Sequence, residues 1–361
     1  MRLSFFYPLL ALLIAALPCP MPAAETTAGR QLGVGLYGSN GHQLSVASLL
    51  KRKHARVVAV SQVRGVIPPD TGVKQYATLE AMLADPAVEI VSLCSPRRAD
   101  QARDAIRCLA AGKHVYAEKP CALSEKELDE ILTAARRANR EFHEMAGTVF
   151  AQPYQEMRRL VKSGAVGEVI QVLVQKSYPY GPQRPQDEAL DGGLFVQAGI
   201  HGIRLVEHAT GARIKSITGW ETNLGLPEKG QGKTAGAAQM VLENGGLATL
   251  IMNYLNPSDF QPRNNETLRI FGTKGFVESV DNGTRTRLVA LNGKSVEPIN
   301  TSAPSIDYFD FVTAHIVTGA AMPFTLEEEL HPLRMLLRAK QKINFTPAPA
   351  NPAKLQIPQP K

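Results

Sequence analysis

Ala111-Gly112-Lys113-His114-Val115-Tyr116-Ala117-Glu118-Lys119-Pro120 carries three structural signals in a row. Gly112 stops a helix predicted over 100–111, in which Ala102, Ala105, Ile106 and Leu109 share one face. The run 114–118 then reads as a short, covered strand, closed by Lys119 and Pro120. A helix that returns at once into a buried strand is half of a βαβ unit. Repetition of that unit builds a parallel sheet with helices on both faces.

The repetition is present on either side. Apolar, β-branched runs predict strands at 32–38, 56–62, 89–95 and 142–147, with a weaker one near Gln75. Ser124 and Glu127 form a capping box for a helix over 125–139, and Thr78 opens another that ends at Asp85-Pro86. After Gln152 the rhythm changes. A helix over 153–163 leads into alternating strands at 168–177, 214–221, 237–242, 248–254, 267–271 and 276–280, with turns at Asn244-Gly245-Gly246 and Gly272-Thr273-Lys274-Gly275. Helices over 307–318 and 326–340 follow, the second opened by a capping box at Thr325 and Glu328 and carrying Pro332 near its start. The fold class is therefore α/β: an N-terminal Rossmann, doubly wound parallel sheet over 30–150, then a C-terminal α+β domain over 151–345 with an open, mostly antiparallel sheet. A Pro-rich tail occupies 346–361. One face of an open sheet needs a partner, so homo-oligomerisation across the C-terminal sheet is expected.

The chain has 361 residues, too many for one ordinary domain, and its 44% hydrophobic and 20% charged content is that of a globular protein. The net charge of +7 is scattered, with short clusters only at 51–53 and 97–98 and no basic stripe interleaved with aromatics. Nucleic acid is therefore excluded as a partner, and a phosphate-bearing cofactor is the simpler anion. At the N-terminus Arg2, an apolar run over 3–17, Pro18-Cys19-Pro20 and the small pair Ala23 and Ala24 read as a secretory signal over 1–24. The mature protein is then periplasmic or extracellular, without stable membrane insertion; twin arginines are absent. Cys94, Cys108 and Cys121 remain, an odd number without CxxC spacing, and read as buried small hydrophobes; no metal site is expected.

The first strand runs into Gly38-Ser39-Asn40-Gly41-His42-Gln43, where a Rossmann unit places its phosphate loop. Asn40 and Gln43 stand where G-x-G-x-x-G asks for glycine, although Asn tolerates the left-handed region better than most residues. A helix starting near Gly41 would aim its N–H groups at a pyrophosphate, the alternative being a tight turn without a ligand. The second strand ends at Ser61-Gln62-Val63-Arg64, without the acidic residue that grips an adenosine ribose. Ser61 and Arg64 suit a 2′-phosphate instead, favouring NADP over NAD, unless Arg64 is only a solvated loop residue.

The opening tract closely resembles the AGKHV-x-x-EKP segment of the glucose-fructose oxidoreductase and inositol dehydrogenase family, often called Gfo/Idh/MocA. The resemblance runs from about 32 to 340 and includes Ser163-Gly164-Ala165-Val166-Gly167-Glu168, Phe271-Gly272-Thr273-Lys274-Gly275 and Glu327-Glu328-Glu329-Leu330. It implies that NAD or NADP and a carbohydrate-like substrate meet between the two domains. Cofactor contacts would come from the loop at 38–42, from Ser61, Gln62 and Arg64, from the Ser95-Pro96 turn beneath the nicotinamide ribose, and from Glu118 and Lys119. Lys119 would contact the reacting hydroxyl, where an ammonium stabilises a developing alkoxide.

The resemblance also asks for D-x-x-x-H, with His as proton acceptor. His201 is present, but Gln197 replaces the carboxylate and Arg204 stands where a further acid is often found. His201 then lacks an evident partner, and Gln197 would orient it or the substrate by hydrogen bonding. Arg97, Arg98 and Gln101 replace the usual turn after the fourth strand. Tyr178, Tyr180, Arg184, Trp220, Asn253 and Tyr254 are candidates for a sugar pocket, with core packing as the alternative. The expected activity is hydride transfer between a nicotinamide and a carbinol of a sugar, cyclitol or sugar derivative. A non-catalytic carbohydrate- or nucleotide-binding protein, or NAD-assisted glycoside cleavage, are the alternatives.

Overall fold

Six parallel strands, β1 (Leu32–Tyr37), β2 (Ala55–Ser61), β3 (Lys74–Tyr76), β4 (Ile90–Leu93), β5 (His114–Ala117) and β6 (Phe142–Glu144), form the first sheet in the order β3-β2-β1-β4-β5-β6. The computed structural model describes residues 29–348, apart from 66, 70, 180–183, 226–229, 258, 262–263 and 292–295. The predicted signal segment over 1–24 and the tail from 349 lie outside the described residues. β1 and β4 are buried along their whole length, as the unbroken apolar runs require of strands covered on both faces. Because the chain winds outward in both directions from β1 and β4, a crevice opens between their carboxyl ends.

The helices of this half are α1 (Val46–Leu49), α2 (Leu79–Leu83), α3 (Gln101–Ala110) and α4 (Glu125–Ala138). The capping box at Ser124 and Glu127 forms, and Asn139 ends α4 in the left-handed conformation. The expected helix start near Gly41 is corrected. α1 begins only at Val46 and is four residues long, because Ser45 supplies the N-cap and its side chain accepts from the Ser48 N–H.

The second half opens with α5 (Tyr154–Lys162) and β7 (Val169–Pro179), followed by three short helical pieces, α6 (Glu188–Asp191), α7 (Gly193–Gln197) and α8 (Gly199–Arg204). β8 (Ile214–Thr222), β9 (Ala235–Leu242), β10 (Leu247–Asn256), β11 (Asn265–Gly272), β12 (Gly275–Val280), β13 (Arg285–Ala290) and β14 (Val296–Pro298) come next, then α9 (Tyr308–Thr318), α10 (Leu326–Gln341) and β15 (Asn344–Thr346). The second sheet has nine strands in the order β14-β13-β12-β11-β7-β10-β9-β8-β15, and only the β7–β10 and β8–β15 pairs are parallel. Sequence reading missed β13, β14 and β15; residue 346, taken as the start of the tail, pairs with Thr222 at the sheet edge. Along β10 the residues alternate, with Ala248, Leu250 and Met252 buried and Leu247 and Ile251 exposed.

A buried polar network and α10 lock the halves together. α10 packs on α4 and β6 of the first half and on α7, α8 and β8 of the second. From it, Glu329 accepts hydrogen bonds from the Tyr308 hydroxyl (2.7 Å) and the Glu144 N–H (2.6 Å), and its Oε2 lies 2.7 Å from His143 Nδ1. Burial disfavours charge on His143, but the Glu329 and Glu141 carboxylates outweigh it and push its pKa up to about 9. No helix among the described residues is long and apolar enough to cross a membrane.

Candidate active site

β5 delivers Glu118 and Lys119 at the carboxyl edge of the first sheet, and both are buried. The Lys119 ammonium donates to the Gln197 carbonyl at 3.1 Å. Burial lowers its pKa to about 8; Glu118 opposes that shift, while Arg98, Arg204 and Lys176 reinforce it. Lys119 lines a cavity of about 310 Å³ shared with His42, Leu44, Tyr116, Met145, Gly147, Thr148, His201, Ile306, Asp307 and Tyr308. The amine from the first half and the imidazole from α8 of the second thus line one open cavity.

His201 has a carboxylate nearby after all. Its Nδ1 lies 3.8 Å from Glu266 Oε1, and Glu266 stands directly opposite Lys176 across the β7–β11 pair. That oxygen is already held by the Lys176 ammonium at 2.5 Å, and His201 Nε2 is buried without a hydrogen-bond partner. Burial, reinforced by Lys119 and Lys176, pushes the imidazole pKa well below its usual value, so His201 is neutral. The Gln197 side-chain oxygen is 3.5 Å from the Tyr254 hydroxyl, and through its main chain Gln197 holds Lys119 rather than His201. Arg204 is buried in an ion pair with Glu144 and donates to the Met145 carbonyl at 2.8 Å, so it serves the seam between the halves.

At the end of β1, Gly38 has φ +72°, and a Cβ there would sit 1.9 Å from the Cys94 carbonyl oxygen. Only glycine satisfies both conditions. Asn40 donates from Nδ2 to the Leu190 carbonyl at 2.6 Å and to that of Pro96 at 3.2 Å. Gln43 turns its amide inward, donating to the carbonyls of Tyr37, Gly38 and Ser92 at 3.0 to 3.1 Å. The His42 N–H donates to Glu118 Oε2 at 3.1 Å, and His42 Nδ1 lies 3.0 Å from Glu118 Oε1. Burial works against ionisation of Glu118, yet the His42 hydrogen bond and the Lys119 and Arg98 cations hold its carboxyl below the usual range.

Ser39 accepts from the Arg64 N–H at 2.6 Å, which ties the loop to the end of β2; Gln62 and Arg64 are exposed there. Ser61 and Ser95 are both buried, the Ser61 hydroxyl without a partner among the described residues and the Ser95 hydroxyl donating to Asp104 at 2.8 Å. Pro96 remains exposed beside Asn40. Beneath the loop, Arg98 is buried, donates to the Asn40 carbonyl at 2.8 Å, and keeps Nε and Nη1 without partners. A left-handed Gly38 over the switch point and unpartnered guanidinium N–H groups fit a dinucleotide phosphate, with Arg98 in place of a helix end.

Among the proposed sugar contacts, Arg184 lies over the Tyr254 ring at 4.0 Å and near Asp191 at 3.9 Å, with Tyr178 adjoining Tyr254. Trp220 is exposed on the outer face of β8, Asn253 accepts from the Leu255 N–H, and Tyr180 lies outside the described residues. Cys94, Cys108 and Cys121 are free and buried, and burial pushes their thiols up. No group of three or more potential metal ligands occurs among the described residues. Glu266, Lys176 and Arg98 are the site residues that sequence reading did not assign; only the β7–β11 register pairs the first two.

Comparison with known proteins agrees with this layout. Residues 32–146 match the oxidoreductase family model with an NAD-binding Rossmann fold, and 154–278 match the GFO/IDH/MocA C-terminal domain. Trans-1,2-dihydrobenzene-1,2-diol dehydrogenase of Xenopus laevis is 27% identical, over 63% of this chain and 69% of its own. Myo-inositol 2-dehydrogenase of Thermotoga maritima is 23% identical, over 60% and 63%. The crystal structure of aldose-aldose oxidoreductase from Caulobacter crescentus, 22% identical, superposes with a TM-score of 0.71 over 87% of this chain and 98% of its own, and so shares the fold. Both halves, in this order and joined through this crevice, make the chain a member of the Gfo/Idh/MocA family of oxidoreductases.

Proposed function

We propose that this protein oxidises or reduces a secondary carbinol on a sugar, cyclitol or sugar derivative, using NAD or NADP. The carrying observation is the convergence of Lys119 and His201 on one cavity between the halves. The dinucleotide supplies the two-electron acceptor or donor. Gly38 and Arg98 would hold its phosphates, Gln62 and Arg64 its ribose, and an Arg64 side chain without a partner among the described residues keeps NADP favoured. Lys119, as a cation below about pH 8, would stabilise the alkoxide on the reacting carbon. The relatives' names, a diol and an inositol dehydrogenase, support a vicinal-diol or ring-polyol substrate.

Purified protein mixed with NAD⁺ or NADP⁺ and a panel of inositols, aldoses and vicinal diols should produce reduced nicotinamide. Lys119→Ala should cut the rate about 10³-fold, a magnitude typical of losing transition-state charge stabilisation. Wild type that neither turns over nor binds either dinucleotide would sink the proposal. A second reading, binding without turnover, is favoured by the loop, where the His42 N–H and the Asn40 amide are spent on protein groups. Tight carbohydrate binding with no turnover of any polyol would select it.

We further propose export through the 1–24 segment and self-association through the exposed sheet face bearing Ile170, Leu173, Val241, Leu247 and Ile251. Sedimentation velocity should show a species heavier than one chain, and Ile251→Arg should dissociate it. An intact Met1 on the mature protein would refute the signal.

A further inference from the structure

We propose that the His42–Glu118 pair, and not His201, is the proton acceptor for the substrate hydroxyl. The inference rests on the reading of the Lys119 cavity as a carbinol oxidation site.

Glu118 is held on the loop by two contacts from one residue, the His42 N–H at 3.1 Å to Oε2 and Nδ1 at 3.0 Å to Oε1. Its side chain is 1% exposed while that of His42 is 69% exposed. A buried carboxylate on Nδ1 makes that nitrogen the protonated one in the neutral ring and leaves the Nε2 lone pair on the opposite edge. His42 lines the same cavity as Lys119 and His201, and the two imidazole rings stand 6.4 Å apart, edge to face. The loop is built around the carboxylate. Gly41 has φ +112°, and a Cβ there would meet the Glu118 carboxyl carbon at 2.6 Å, so this glycine serves Glu118.

His201 is poorly equipped for the same task. Its Nε2 is buried and unpartnered, and the oxygen 3.8 Å from its Nδ1 already takes the Lys176 ammonium. The carboxylate-to-imidazole pairing that Gln197 removes from the helix reappears at the end of β5. In the oxidative direction the O–H proton passes to His42 Nε2, giving an imidazolium paired with Glu118. The carbinol hydrogen would leave together with the electron pair of its C–H bond, as the hydride that an oxidised nicotinamide dinucleotide would accept, and the oxygen would close the C=O bond. Glu118 stays a carboxylate throughout and is the positioning residue.

The groups facing His42 in the cavity are Glu118 and Lys119 from the end of β5, Tyr116 on β5, His201 on α8, and Asp307 and Tyr308 at the start of α9, with Asp307 held by Arg52. The test uses the full chain. In ¹⁵N-histidine NMR, the signal missing from His42→Asn should show the Nδ1–H tautomer in wild type; an Nε2–H tautomer overturns the pair. In turnover of a ring polyol, His42→Asn should lower kcat about 10²-fold or more and abolish the acid limb of its pH profile. KM and the dinucleotide Kd should stay within about twofold of wild type, as for an interaction made only in the transition state. His201→Asn should keep the limb. An active wild type whose His42→Asn variant keeps rate and limb overturns the role of His42 alone. A wild type without dinucleotide-dependent turnover overturns the oxidation site and this role with it.

Discussion

The ends of β1 and β5 lie on one edge of one sheet, yet they present opposite states to a ligand. At β1 the polar groups of the loop are spent: Gln43 on three carbonyls, Asn40 on two, and the His42 N–H on Glu118. At β5 a buried ammonium has a single carbonyl partner and opens onto a cavity. The loop's partners stand 76 residues away at Glu118 and 150 away at Leu190. A local motif therefore fixes where a loop goes, while distant residues decide which of its hydrogen-bonding groups remain free for a ligand.

The sharpest way to break the comparison is through the two glycines of the loop. Gly38→Ala forces a Cβ onto the Cys94 carbonyl with positive φ, so backbone must move; destabilisation of roughly 3–5 kcal/mol is expected. Gly41→Ala meets only the end of the Glu118 side chain, which can swing, so it should cost roughly 1–3 kcal/mol while freeing the His42 N–H. Urea unfolding of both variants reads the order. Equal losses would mean that Glu118 is as fixed as the backbone, and the contrast between the two strand ends would fail.

The glycine contrast also marks what could be read in the sequence. The strand-to-helix rhythm of 32–147 marks five strands of the first sheet plainly, because a doubly covered strand writes itself as a local apolar run, and marks β3 only weakly because Lys74-Gln75-Tyr76 is mostly exposed. β13 and β15 escaped because no residue of either is buried and both mix Arg, Thr or Asn with their apolar residues. Lys119 and His201 were legible through motif spacing. Glu266 was not: it becomes a site residue only because the β7–β11 register sets it against Lys176. The burial of the Ser61 and Ser95 hydroxyls was equally unreadable, because whether a hydroxyl near a strand end faces solvent or core turns on strand twist and, for Ser95, on α3, which supplies Asp104.

The β5 end yields the next largest effect. Lys119 has a folded pKa near 8 against a reference of 10.5, so between those values the unfolded chain binds more protons than the folded one. Stability must therefore rise with pH across that window, by about 3 kcal/mol if nothing else titrates. Lys119→Met removes this increment, and the stability difference between wild type and variant should grow by that amount from pH 8 to 10.5. Parallel denaturation profiles for the two proteins would show that the ammonium is solvated and that the β5 end is no more poised than the β1 end.

The smallest effect concerns the closure of the loop by the second half. Asn40 reaches from β1 to the Leu190 carbonyl at the end of α6, and the neighbouring ion pair, Arg97 with Asp187, is long at 3.7 Å and exposed on both sides. Asn40→Ala removes two neutral hydrogen bonds from a partly exposed site, so global stability should fall by only about 1 kcal/mol. Its local consequence should be larger than its global one. α6 is a four-residue helix with no buried residue, so freed of Asn40 its amides should exchange with solvent faster while those of β1 and β4 keep their protection. If the dinucleotide lies over Gly38 and Arg98, the same variant should bind it more tightly, since a carbonyl no longer competes for the space above the loop. Unchanged exchange at 188–191 together with unchanged dinucleotide affinity would mean that the loop was never closed by α6, and that the β1 end is as open to a ligand as the β5 end.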